Sequence, residues 1–179
     1  MKKIFLVLFL ILVVGCGNMM DTPTKKVETL LSKYQTEDKE VLDQLDKVVE
    51  EAGTLNDEQQ KKYRDLMKRQ YQNLSYKIKN ETEDGDNATI TVEIVVYDYG
   101  KAVSESENYL SNNREEFLVD TENNVIDSVK YMDYKINNMA NTNDKVTYTI
   151  NFNLVKEDDE WKINDLDDTD RLKLHGLYY

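Results

Sequence analysis

The spacing of apolar residues predicts the elements of this chain in order. An uncharged run from Ile4 to Val14 follows the basic start Met1-Lys2-Lys3. Further on, Val27, Leu30, Leu31 and Tyr34 recur at i, i+3, i+4 and i+7, one face of a helix over residues 23–35. Thr22 is placed to cap it, and Pro23 falls at the first helical position, where a missing N–H costs nothing. A second helix over 39–52 turns Val41, Leu42, Leu45, Val48, Val49 and Ala52 inward, and Gly53 ends it. Asn56 to Gln59 read as a capping box for a third helix reaching to about residue 72, with Tyr63, Leu66, Met67 and Tyr71 on its buried face.

Past residue 73 the period falls from 3.6 to 2. Leu74, Tyr76 and Ile78 alternate with polar residues, as do Ile90, Val92, Ile94 and Val96; the turn-forming run Glu83-Asp84-Gly85-Asp86-Asn87 between them predicts a hairpin. Residues 101–118 fit a helix through Val103, Tyr109, Leu110 and Phe117. Residues 122–140 fit another, with Val125, Val129, Met132, Ile136 and Met139 on one stripe. Val146, Tyr148, Ile150, Phe152 and Leu154 then alternate with Thr147, Thr149, Asn151 and Asn153 as a strand. A turn at Glu157-Asp158-Asp159 leads into a last strand with Trp161 and Ile163 inward. Helices on one side and antiparallel hairpins on the other make an α+β fold. The Thr- and Asn-rich sheet face implies that helices cover only the opposite one.

The first residues carry a targeting signal: a basic start, an apolar stretch well short of the ~20 residues a spanning helix needs, and Gly15 before Cys16. Val13-Val14-Gly15-Cys16 resembles the lipobox of bacterial lipoproteins. The resemblance implies export, cleavage of residues 1–15 and lipid on Cys16, leaving a tether over 16–21 and one domain over 22–179. The expected location is the extracytoplasmic face of a cell membrane, reached through lipid on Cys16. Cys16 is the chain's single cysteine, so no internal disulfide can form, and thioether attachment would remove a lone thiol from an oxidising compartment.

In order of elements, residues 22–170 resemble the cystatin-like group, which includes nuclear transport factor 2-like domains. That likeness implies N-terminal helices packed into the concave face of a curved sheet. Trp161-Lys162-Ile163-Asn164-Asp165-Leu166 resembles the closing strand of small exported members. Two helices inserted between the hairpins depart from the group's usual short connection. The group holds enzymes, carriers and interaction modules, so membership does not assign an activity.

Charge narrows the partners. The chain has 23 basic against 35 acidic residues, a net charge of −12, and becomes more acidic once Lys2 and Lys3 leave. Nucleic acid is excluded as a partner, because phosphate binding needs an excess of Lys and Arg. An anionic membrane surface repels such a body within a Debye length of ~8 Å. The basic residues of the third helix, Lys61, Lys62, Arg64, Lys68 and Arg69, are the local exception, read as a solvated face.

No catalytic or metal-binding pattern emerges from the residues. His175, the single histidine, has no serine or cysteine motif beside it and reads as a surface or tail-packing side chain. Asp165, Asp167 and Thr169 alternate as in a calcium loop, but the sixth and twelfth places hold Asp170 and Gly176 in place of glycine and glutamate. The expectation is therefore a non-enzymatic domain without cofactor or metal, binding an envelope protein or a small ligand. A carrier or an enzyme using the concave face is the alternative. Tyr76, Tyr131, Tyr134, Tyr148 and Trp161 are the candidate pocket residues, since aromatic rings with polar tips suit sugars and amphipathic ligands. They are equally suited to a core.

Overall fold

The computed structural model describes residues 21–179 apart from residue 52. The leader over 1–15, Cys16, the tether up to Met20 and the inward position expected for Ala52 lie outside the described residues. The fold is α+β: a four-stranded antiparallel sheet, helices against one of its faces, and a small two-stranded hairpin.

Helices α1 (Pro23–Gln35), α2 (Lys39–Glu51) and α3 (Asp57–Gln72) come first. The Thr22 hydroxyl accepts from the Lys25 amide, and Asn56 and Gln59 bond each other's backbone in both directions, so the caps form as the residues dictate. Strands β1 (Ser75–Asp84) and β2 (Asn87–Tyr97) follow, joined by a tight turn at Gly85, whose φ of +60° suits a residue without a Cβ. Strand β5 (Lys145–Glu157) pairs with β2, and β6 (Glu160–Ile163) with β5. Asp158 and Asp159 both take positive φ, as the two-residue loop of a type I′ hairpin requires.

Pairing along β2 and β5 sorts the side chains by face. Ala88, Ile90, Val92, Ile94 and Val96 on β2, with Ile150, Phe152 and Leu154 on β5, form the buried face. On the other face Thr89 and Thr91 donate to the side-chain oxygens of Asn153 and Asn151 across the strands, in solvent. Helix α1 lies over the buried face against β6, β2 and β1, bringing Val27, Leu31 and Tyr34 into the core.

The connection between β2 and β5 departs from the expected pair of helices. Helix α4 spans Tyr99–Asn112 and stops six residues early; a 3-10 turn at Arg114–Phe117 continues it. Strands β3 (Leu118–Asp120) and β4 (Val125–Ile126) form a hairpin where the second helix was expected to begin, and α5 runs Ser128–Asn141. Asp127 caps α5 through the Lys130 amide, which fixes the later start. Val125 is thus a strand residue, and it and Val129 in the first turn of α5 are exposed, whereas Ile136 and Met139 at the other end of the expected stripe are buried. A short helix, α6 (Asp168–Leu174), precedes the last residues.

Helix α3 is the hub of the helical side. Its Gln59 amide donates to the Val129 carbonyl and to Asp133 on α5, both near 3 Å. Arg69 donates to the Ala140 and Thr142 carbonyls and to Asn143, with its guanidinium 4.1 Å over the Tyr97 ring. The Gln70 amide bonds both the N–H and the carbonyl of Tyr97 at the end of β2. The Gln59 and Gln70 ties satisfy half-buried polar atoms that would otherwise lack partners.

Candidate functional site

Asp21, the first described residue, is pinned to the domain. One carboxylate oxygen accepts from the Trp161 amide at 2.9 Å and the other pairs with Lys26 at 3.0 Å. Desolvation pushes this carboxyl's pKa up, but the Trp161 and Lys26 contacts outweigh it and hold the group below its usual value. Asp21 is thereby fixed beside β6.

The five candidate aromatic residues are not gathered into one pocket. Trp161 is buried in the main core, on β6. Tyr131 and Tyr134 belong to a separate aromatic group on the α4–α5 side: Phe117 stands edge-on to both, and Tyr134 stacks on Tyr109 at 4.9 Å. Tyr148 lies against the segment after α6, its hydroxyl donating to the Tyr178 carbonyl and its ring edge-on to Tyr178. Tyr76 and Tyr148 both pair with Ile94, from opposite sides. Tyr76 also lines an open groove of about 390 Å³ with Lys25, Thr29, Ser32, Lys33 and Thr36 of α1 and its cap. In that groove Thr29 and Thr36 spend their hydroxyls on helix carbonyls, and Lys33 is paired with Glu40.

His175 is not on the surface; it packs inside, the tail-packing reading. The residue is 6% exposed, its ring set between Tyr34 and Tyr71 with centroids 6.2 and 5.7 Å away. Its Nδ1 and the Tyr71 hydroxyl have no hydrogen-bond partner among the described residues. Burial, reinforced by the Arg171 charge, lowers the imidazole pKa to about 4, so the ring is neutral near pH 7.

The charged features resolve into structural roles. On α3, Lys62 pairs with Glu58, Arg64 with Asp46 and Glu50, and Arg69 with the carbonyls named above, so most of that basic face is engaged within the molecule. In the acidic run, Asp167 caps α6 through the Asp170 amide, while Asp168 and Asp170 pair with Arg171 and Lys173 one turn on. Among the described residues no group of three or more His, Cys, Asp or Glu side chains could hold a metal ion.

One surface was not anticipated. Val119 is 68% exposed, Val125 45% and Val129 51%, all within the β3–β4 hairpin and the first turn of α5. Around them stand Asp120, Glu122 and Asn123, tied into a tight turn by bonds to the Asp120 carboxylate. A signal for this hairpin exists in the sequence: the apolar pairs Leu118-Val119 and Val125-Ile126 flank a polar run containing Asn123-Asn124, and Asn124 takes the positive φ of 54°. Helical spacing from Val125 onward masked it.

Among the described residues no helix is long and apolar enough to cross a membrane. No protein-family model matches the chain, and neither does any curated protein or solved structure.

Proposed function

We propose that this chain is an envelope protein, held by lipid on Cys16 at the extracytoplasmic face of a membrane, whose domain binds a protein partner non-catalytically through the β3–β4 hairpin. The exposed valines carry the reading. Three large apolar side chains left in water on one hairpin and the helix turn beside it, in an acidic surround, suit a contact site better than a single exposed one would. A hairpin clear of the main sheet can meet a partner without disturbing the core.

The pinned Asp21 supports the anchoring half. Five residues, Cys16 to Met20, separate the lipid from the body, a reach of at most roughly 17 Å. A domain so acidic stands off anionic headgroups but stays close to the bilayer, placing its partner in the envelope. Likeness to the cystatin-like group is compatible with this and adds no activity of its own.

Cross-linking in intact cells tests the binding half. Full-length wild-type chain is compared with the double variant Val119→Asp/Val125→Asp, with Trp161 fluorescence as the check that both fold. The wild type should yield a discrete cross-linked partner that the variant loses; the same partner from both would refute the hairpin. Mass spectrometry of the cell-derived chain tests the anchor separately. A diacylglyceryl mass on Cys16 with residues 1–15 removed is expected, and a free thiol or a retained leader would refute it.

A further inference from the structure

The residues after α6 make an unusually specific closure. His175 is inserted between Tyr34 of α1 and Tyr71 of α3. Gly176 turns the chain with a φ of +69°, and its carbonyl accepts from the Gly100 amide at 2.6 Å. The Tyr178 carbonyl accepts from Tyr148 of β5, and the Tyr179 hydroxyl donates to Glu107 of α4 at 3.1 Å. Two glycines permit this path. A Cβ on Gly176 would collide with the Gln70 amide and the Tyr97 carbonyl, and one on Gly100 would collide with the Tyr178 carbonyl. Neither the hairpin nor the anchor depends on any of it.

We propose that residues 175–179 are a strap latched by His175, and that protonation of its imidazole lifts the strap from Gly100 and Tyr148 while the sheet stays folded. The latch is built to reject charge. From α1 it faces Tyr34, from α3 Tyr71, and from its own helix Arg171, a like charge to imidazolium. Farther along, Lys173 sits 5.8 Å over the Tyr178 ring and pairs with Asp170. Among the described residues no carboxylate acts on the ring. A protonated imidazole held there would be desolvated with an arginine for company, and moving into water relieves both.

The direction follows from linkage. The closed form holds its proton only near pH 4, whereas the lifted form takes one up near the ordinary 6.5. Closure is therefore fully present above pH 6.5 and weakens as pH falls towards 4. Between pH 7 and 4.5 the opening constant should rise roughly 50-fold. The strap is held by the buried His175 and Gly176, the half-buried Leu177 and a few hydrogen bonds, its two tyrosines being exposed. Opening stays local because β1, β2 and β6 keep their cover from α1 and β5 its cover from α6. What it uncovers is the edges of Tyr34 and Tyr71 that wall His175, the Tyr148 ring and the Gly100 face of α4, an aromatic surface that is closed at neutral pH.

Hydrogen–deuterium exchange of the full-length protein at pH 7 and 4.5, corrected for intrinsic rates, tests this. Peptides containing Gly100 and residues 169–179 should lose protection by the stated factor, with the Trp161 strand unchanged. In His175→Phe, protection should be the same at both values. Gly100→Ala, which crowds out the strap without touching the histidine, should leave the region open at pH 7 and insensitive to pH. Equal acid loss in wild type and His175→Phe, no loss in wild type, or simultaneous loss at Trp161 would each overturn the proposal. Should His175→Phe fail to fold, the wild-type contrast between strap and Trp161 strand still decides.

Discussion

Two antiparallel pairs in this molecule are made of similar residues and end in opposite surroundings. The β2–β5 pair sets Ile90 against Phe152 and Val92 against Ile150, and all four are buried. The β3–β4 pair sets Leu118 against Ile126 and Asp120 against Val125, and leaves Val119 and Val125 in water. Branched apolar side chains favour extended backbone in both places. What differs is the second layer: α1 packs on β2 and α6 on β5 in the first pair, while the turn leading into the hairpin rests on α4 and α5. Extended conformation is chosen locally, but burial is chosen by whatever packs on top.

The largest break in that comparison comes from truncating the covered pair. Phe152→Ala should destabilise the domain by about 3–5 kcal/mol, because the lost ring leaves a cavity that backbone on both sides prevents from closing. A urea melt followed by Trp161 fluorescence measures it. A loss below 1 kcal/mol would mean the sheet face is loosely packed.

A smaller effect belongs to the polar tie at the end of the same strand. Gln70 satisfies both backbone groups of Tyr97, so Gln70→Ala strands an N–H and a carbonyl at a buried junction. It should cost about 1–3 kcal/mol and raise amide exchange at Tyr97 more than at Ile90. Uniform exchange across β2 would show that the tie is dispensable.

What the sequence made legible follows the same division. The helix starts at Pro23 and Asp57, the hairpin turn at Gly85 and the alternation from Val146 to Leu154 were readable, since caps, glycine and period 2 are local signals. Val125 and Val129 were misplaced because the spacing of residues 125–139 fits a helix face, and periodicity does not report where a helix begins; Asp127 does, through its cap. Among the candidate pocket residues, composition singled out the tyrosines, but their neighbours depend on contacts far apart in the chain. Tyr148 meets Tyr178, and Tyr131 meets Phe117. The burial of His175 was unreadable for that reason too, since its walls come from residues 34 and 71.

The smallest stability effect should come from the hairpin, and it separates a contact surface from a weakly formed core. Val119→Thr/Val125→Thr preserves shape and β-branching while replacing methyl groups already in water with hydroxyls, so no buried polar group is created. Stability should stay within about 0.5 kcal/mol of the parent in the same urea melt. Partner capture should nevertheless fall, because a hydroxyl buried against an apolar partner surface loses its water without gaining a bond. If the valines instead contribute to the fold, the melt midpoint drops together with capture, and the hairpin becomes an extension of the core. A drop in capture alone is the outcome that the exposure of these side chains predicts.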